Sequence, residues 1–238
     1  MSRVSLALAL ALLAGGCATA AVEPYQTYDP AEGVNRGVYR AFDAVDRRVL
    51  RPVAQGYQRV MPDPAERGIS NFFANLRDVD GALNSALQGK PKAALGDLVR
   101  VVVNSTVGLG GLFDVAGRSG LSPSEEDFGQ TLAVWGVTRT AYVVLPPGGP
   151  STVRDAPGAL IQSATPSLLL GGGFTWWVGL LDVLSARAGA LAATNARDAA
   201  ALDPYIFTRD AYYQRRQFLI FDGDPPVDDF FDAFDDEE

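Results

Sequence analysis

The feature that most constrains this chain is its first seventeen residues, because they decide the surroundings in which the rest must fold. Met1-Ser2-Arg3 is a short basic start, Val4 to Ala14 is an apolar run, and Gly15-Gly16 place small residues before Cys17. A run this short cannot span a bilayer as a permanent helix, and it has the layout of a secretory signal peptide over residues 1–16. The chain from Cys17 onward is expected to fold beyond the inner membrane.

Cys17 is the only cysteine in the sequence. It has no internal disulfide partner, and a lone free thiol would be a liability in a secreted chain. A small-residue cleavage site ending in cysteine resembles a lipobox, at which the thiol is acylated. Ala14 stands where leucine is usual, with Leu13 one place further back. Acylation explains why one cysteine exists and where it lies. A buried methylene contributes about 0.8 kcal/mol and a single acyl chain binds only marginally, so several chains on Cys17 would be needed for lasting attachment. Ala18 comes next, where bacterial lipoproteins retained at the inner membrane often carry aspartate. The expected destination is the outer membrane.

Charge and composition exclude much chemistry. There is no histidine, which removes Ser-His-Asp hydrolysis, Cys-His chemistry and imidazole-ligated zinc. No catalytic set, metal site or cofactor is expected. Loss of Arg3 leaves 19 basic side chains, and nine of the 28 acidic ones lie in Asp222 to Glu238, so the body 17–221 carries 19 of each sign. A neutral body with an acidic tail argues against nucleic-acid binding, which needs a basic face. Phe230, Phe231 and Phe234 interrupt the acidic tail 222–238. It is expected to be disordered alone and to dock on a carrier with a basic rim.

The body reads as one helical domain. Asp29-Pro30-Ala31-Glu32 is a helix start, with Asp as N-cap and Pro at the first helical position, and it recurs as Asp63-Pro64-Ala65-Glu66. After the first, Val34, Val38, Phe42, Val45 and Val49 recur at helical spacing opposite Arg36, Arg40, Asp43 and Arg47, and Pro52 ends or kinks that helix. Val79, Ala82, Leu83, Ala86 and Leu87 form a second apolar face, and Ala94, Leu95, Leu98, Val99, Val102 and Val103 a third. Gly108-Leu109-Gly110-Gly111 has Phe113 where a dinucleotide fingerprint needs glycine, and it comes after a helix rather than a strand. Tyr142 to Leu145 is β-prone and runs into Pro146 to Pro150, as in a small hairpin or extended loop. A last helix covers Tyr205 to Phe221, and its Arg209, Arg215 and Arg216 suit a bilayer surface as well as water. No strand series supports a sheet fold, so the predicted class is all-α.

From Ala156 to Leu181 no residue is charged. Gly171-Gly172-Gly173, Pro157 and Pro166 make it a poor transmembrane helix. With Trp176 and Trp177 beside the glycines, the segment is predicted to lie in the membrane interface. Asn71, Phe72 and Phe73 form a second candidate for lipid contact.

These residues carry a resemblance that spans nearly the whole mature chain. Asp29 to Arg36, Ser70 to Leu76, Leu87 to Pro91, Asn104 to Asp114, Glu126 to Leu132 with Val134-Trp135-Gly136, and Asp203 to Phe207 with Arg209 to Tyr212 occur together in order. The sequence is similar to the MlaA (VacJ) family of phospholipid-transport lipoproteins. The resemblance implies a ring of amphipathic helices in one leaflet of the outer membrane, on its periplasmic side, around a central channel. It implies removal of phospholipid from the outer leaflet, with no chemical step. It also implies a trimeric porin as neighbour and the periplasmic carrier MlaC as recipient. Tyr142 and Leu145 then belong to a hairpin at the pore, and Asn71, Phe72, Phe73, Gly172, Trp176 and Trp177 become lipid-path candidates. A phospholipase or other lipid-modifying enzyme is the alternative, but no nucleophile and base are apparent. A plain envelope tether would not need such long uncharged stretches.

Overall fold

The computed structural model describes residues 27–146, 149–171 and 175–226. Cys17, Gly172 and the tail phenylalanines Phe230, Phe231 and Phe234 lie outside the described residues.

The described residues form helices, as the periodicity predicts, with one short hairpin among them. Helix α1 (Glu32–Val45) runs through a π-helical turn (Asp46–Leu50) into α2 (Arg51–Val60). Pro52 therefore does not end the helix. It lacks the N–H that an unbroken ladder needs, and the π turn lies just before it. Helix α3 (Asp63–Leu87) takes in both Asn71-Phe72-Phe73 and the second apolar face, and it packs lengthwise on α4 (Pro91–Thr106). The short α5 (Val115–Arg118) and α6 (Phe128–Val134) come next, each capped by its preceding aspartate: Asp114 accepts from Gly117 N and Asp127 from Gln130 N. Strands β1 (Tyr142–Leu145) and β2 (Gly149–Thr152) form an antiparallel hairpin with Tyr142 opposite Thr152. Helices α7 (Ala156–Leu170), α8 (Thr175–Gly189), α9 (Leu191–Ala200) and α10 (Pro204–Ile220) complete the fold.

The two Asp-Pro-Ala-Glu segments behave differently from the expected capping. Asp29 caps nothing, because α1 begins at Glu32. Its carboxylate instead accepts from Asn35 Nδ2 at 2.8 Å and from the Tyr205 hydroxyl. Asp63 lies inside the first turn of α3, where its charge favours the positive end of the helix dipole. Asp203 does act as an N-cap, accepting from Tyr205 N and Ile206 N while also holding Arg36 at 2.8 Å.

Asn35 explains why the hairpin stands where it does. Its Nδ2 donates to Tyr142 O at 3.0 Å and its Oδ1 accepts from Val144 N at 3.1 Å. The side-chain amide thus pairs with β1 as a neighbouring strand would. Tyr142, Val144, Tyr205 and Tyr213 close over this joint as a buried cluster, with Tyr39 and Tyr212 packed against it.

The helices of the other half are turned around. On α4 the buried positions are Ala94, Asp97, Arg100 and Asn104, while Leu95, Leu98, Val99 and Val102 are exposed. On α3, Asp78, Asp80, Asn84 and Ser85 are inside, and Leu83 and Leu87 are outside. On α1, Val34 and Val45 face outward, as does Val49 of the π turn. The apolar stripes that periodicity predicts exist, but most of their large side chains point away from the protein, with the small Ala82 and Ala94 turned inward. Among the described residues, buried polar and charged side chains outnumber buried hydrophobic ones. That is the reverse of a water-soluble fold.

Candidate functional site

A half-open cavity of about 490 Å³ lies beside these polar faces. Arg77, Asp78 and Gly81 of α3 and Asp97 and Arg100 of α4 line it. The Pro123–Asp127 segment, Gln162 of α7 and the Tyr212–Leu219 stretch of α10 line the rest. Four arginines (77, 100, 215, 216) thereby face five carboxylates (78, 97, 125, 126, 127).

One group of charges joins α3 to α4. Arg100 Nε donates to Asp78 Oδ2 at 2.9 Å, Nη1 donates to Leu121 O, and Asp114 lies 3.4 Å away. Asp97 accepts from Ser124 N at 3.0 Å and from the Ser124 hydroxyl. Burial pushes the Asp78 carboxyl up to about 6, against the lowering pull of Arg100. Gly81 gives this group room: a Cβ there would lie 3.0 Å from an Asp97 oxygen.

A second group joins α6, the end of the hairpin and α10. Arg216 donates to Asp127 and, at 3.2 Å, to Asp155. Asp155 also accepts from Arg154 Nε at 2.8 Å and from the Tyr212 hydroxyl at 2.7 Å. Burial alone would raise the Asp155 carboxyl, but Arg216 and Arg154 outweigh it and hold it below the usual carboxylate range. Gly129 is what lets these charges meet. A Cβ there would overlap an Asp155 oxygen and lie 2.8 Å from the Arg216 guanidinium.

Two further ion pairs are more open. Arg215 meets Glu125 at 2.9 Å, and both side chains are more than half exposed. Arg77 meets Asp182 of α8 at 3.1 Å. The cavity can therefore hold a polar, charged group. The Ser85 and Ser124 hydroxyls near it are tied to one another and, through Ser124, to Asp97. Neither has a histidine to take its proton.

The lipid-path candidates fall elsewhere, and none of the described ones borders this cavity. Tyr142 is fully enclosed, and Phe73 is buried against Leu76 and Val178 with Phe72 edge-on at 5.3 Å. Neither Tyr142 nor Phe73 has surface to offer a lipid, because aromatic packing of the hairpin and of α3 on α8 consumes it. Asn71 donates to Leu112 O at 3.1 Å and so pins the glycine turn after α4 to α3. In that turn Gly111 has φ +91, and a Cβ would lie 2.9 Å from the Asn75 amide, so the glycines serve a sharp turn and a close approach. Leu145 is half-buried at the end of β1. Trp176 is 79% exposed and Trp177 45%, in the first turn of α8. Leu160, Leu168, Leu169 and Leu180 are exposed on the same helix pair, and no described helix is long and apolar enough to cross a membrane.

Most of the charged lining lies outside the residues that motifs single out, although Glu126 and Asp127 open one of them. A signal for it exists: Asp97 and Arg100 share one face of a helix whose other residues are mostly apolar, and a charge there demands a partner inside. Of the α10 arginines expected at a bilayer surface or in water, only Arg215 is largely exposed. Arg209 and Arg216 are held among Asp29, Asp127, Asp155 and Asp210.

Known proteins resemble this chain in sequence and in fold. The family model described as MlaA lipoprotein matches residues 27–219. The chain is 35% identical over 228 residues to the intermembrane phospholipid transport system lipoprotein MlaA of Shigella flexneri, covering 92% of this chain and 89% of the relative. The Escherichia coli K12 protein of that name matches at the same identity and coverage. The protein of that name in Haemophilus influenzae is 33% identical over 205 residues, covering 82% of this chain and 80% of the relative. A solved structure described as the structural basis for maintenance of bacterial outer membrane lipid asymmetry aligns with a TM-score of 0.69 at 34% identity, over 81% of this chain and 98% of that one. With a family match that runs from the residues before α1 to the end of α10, and a solved relative of the same helical fold, the chain belongs to the MlaA lipoprotein family.

Proposed function

We propose that this chain is an outer-membrane lipoprotein that removes mislocalised phospholipid from the outer leaflet, through its charged cavity, and so maintains lipid asymmetry without altering the lipid. The observation that carries the reading is the inversion of α4, with Asp97 and Arg100 inside and Leu95, Leu98, Val99 and Val102 outside. In water such a helix is a poor design. Each exposed large apolar side chain forgoes roughly 1.5–3 kcal/mol of burial, and each buried ion costs several kcal/mol before its partner compensates. In a leaflet the outer face is solvated by acyl chains and the first cost disappears. The inner face then supplies what a headgroup needs, a polar path shielded from hydrocarbon.

On the same reading the body lies in the periplasm-facing leaflet, anchored at Cys17, with Trp176 and Trp177 at headgroup level. Exposed aromatic residues at the start of a helix, beside an uncharged helix pair, support that position. A trimeric porin would cover part of the apolar exterior. The carrier MlaC would receive the lipid, with the acidic tail as its docking strip. Lys90 already ties the start of that tail to the body, bridging Asp222 and Glu126.

The test uses the full-length lipidated protein in vesicles, with its porin present, a labelled phospholipid and an acceptor. Transfer of intact lipid supports the reading. Sustained release of fatty acid or lysolipid by rigorously purified protein would establish the enzyme instead.

A further inference from the structure

Of all the charges that line the cavity, one pair differs in how it is held. Glu125 has φ +57, in the left-handed region that side chains other than glycine rarely adopt. Gln130 fixes that conformation, because its side chain donates to Glu125 O at 2.8 Å while its own N–H caps on Asp127. The Glu125 carboxylate is thereby presented beside Arg215. Strained backbone that is held from elsewhere marks a functional position more often than a structural one. The pair itself is too exposed to matter much for stability.

We infer that the cavity selects phospholipids whose headgroup carries a phosphodiester together with a primary ammonium, with Arg215 receiving the phosphate and Glu125 the ammonium. The inference rests on the transport reading and goes beyond it, since that reading is indifferent to headgroup. The physical basis is an exchange of partners. An exposed Arg–Glu pair can open without loss if each half finds a new partner of the right sign at once. A zwitterionic headgroup does this, the guanidinium taking phosphate oxygens and the carboxylate taking N–H donors. An anionic headgroup pairs only with the arginine and leaves Glu125 without a counter-charge, in a cavity where five carboxylates already face four arginines. A quaternary ammonium brings charge but no N–H donor. The volume, about 490 Å³, lies within the range of ligand sites of roughly 300–1,000 Å³ and suits a headgroup.

The experiment offers full-length protein, with its porin, vesicles containing equal amounts of labelled phosphatidylethanolamine, phosphatidylglycerol and phosphatidylcholine, and it reads intact lipid reaching the acceptor. The expected result is a preference of about tenfold for phosphatidylethanolamine over phosphatidylglycerol, with phosphatidylcholine between them. Glu125→Gln should bring phosphatidylethanolamine and phosphatidylglycerol to near equality, and Arg215→Ala should slow all three. Glutamine keeps the side-chain size and the site is exposed, so folding is not at stake. Equal transfer of all three lipids by the unmodified protein would overturn headgroup selection and leave transport standing. So would a preference for phosphatidylglycerol, or a preference unchanged by Glu125→Gln. No transfer of any lipid would overturn the transport reading and this inference with it.

Discussion

The hairpin joint and the α3–α4 pair are built from the same twenty residue types by opposite rules. At the joint, Tyr142, Tyr205 and Tyr213 fill an aromatic interior, with their rings about 6 Å apart. Between α3 and α4, the interior is Asp78, Asp97 and Arg100, while Leu83, Leu95, Leu98 and Val102 face out. The difference teaches that burial depends on the surroundings rather than on the residue. Where water bathes the surface, apolar groups go in. Where hydrocarbon bathes it, the charges have nowhere else to go.

The contrast between the two interiors is tested most sharply by removing one partner from each. Tyr142→Ala should cost about 3–5 kcal/mol, as large-to-small aromatic changes in a core do. Arg100→Ala should cost a similar amount, about 3–5 kcal/mol, because it strands the Asp78 carboxylate. Denaturation midpoints in detergent measure both. The double change Asp78→Leu with Arg100→Met then separates them. It should recover most of the stability, since an apolar pair of similar volume needs no desolvated charge. It should also abolish lipid transfer if the polar interior is the path. A double variant that stays as unstable as Arg100→Ala would show that the polar face is more than a paired charge.

A smaller effect is expected from pH, and its sign differs between two carboxylates. Asp155 is held below its ordinary value of 3.8, so its contribution is present at neutral pH and is lost as pH falls below about 4. Asp78 is raised to about 6, so its contribution is present below about 4 and is lost as pH rises through 6. Melting points taken across the acid-to-neutral range should therefore show Asp155→Asn flattening the acid limb. Asp78→Asn should remove a downward slope between about pH 4 and about pH 6. Parallel curves for both variants would mean that the two charge groups are not distinct.

The smallest effect on folding is expected on the outer stripe. Leu98→Ser and Val102→Ser on exposed α4 positions should change stability in detergent by no more than about 0.5 kcal/mol. The same changes should weaken retention in vesicles, which flotation reads. A large loss of stability in detergent would mean that the stripe packs on protein.

Much of the helix inventory is legible in the sequence because it rests on local chemistry. The proline at the start of α3, from the second Asp-Pro-Ala-Glu segment, and the helical periodicity both act within a few residues. The hairpin is legible from a β-prone run ending in Pro-Pro-Gly. The candidate site is hardly legible. Asp127, Asp155 and Arg216 lie far apart in sequence and meet only because Gly129 lets α6 approach the end of β2 and α10.

By itself the sequence determined that the chain is helical, that its helices are two-faced and that histidine chemistry is impossible. It also determined the family, through short motifs in a fixed order. Only the tertiary structure decided which face of each helix is the inside. Periodicity measures the separation of apolar from polar residues and is the same whether the stripe meets a core or a membrane. The direction comes from what the opposite stripe can find: Arg100 has Asp78 at 2.9 Å across the interface, and Leu98 is left half exposed.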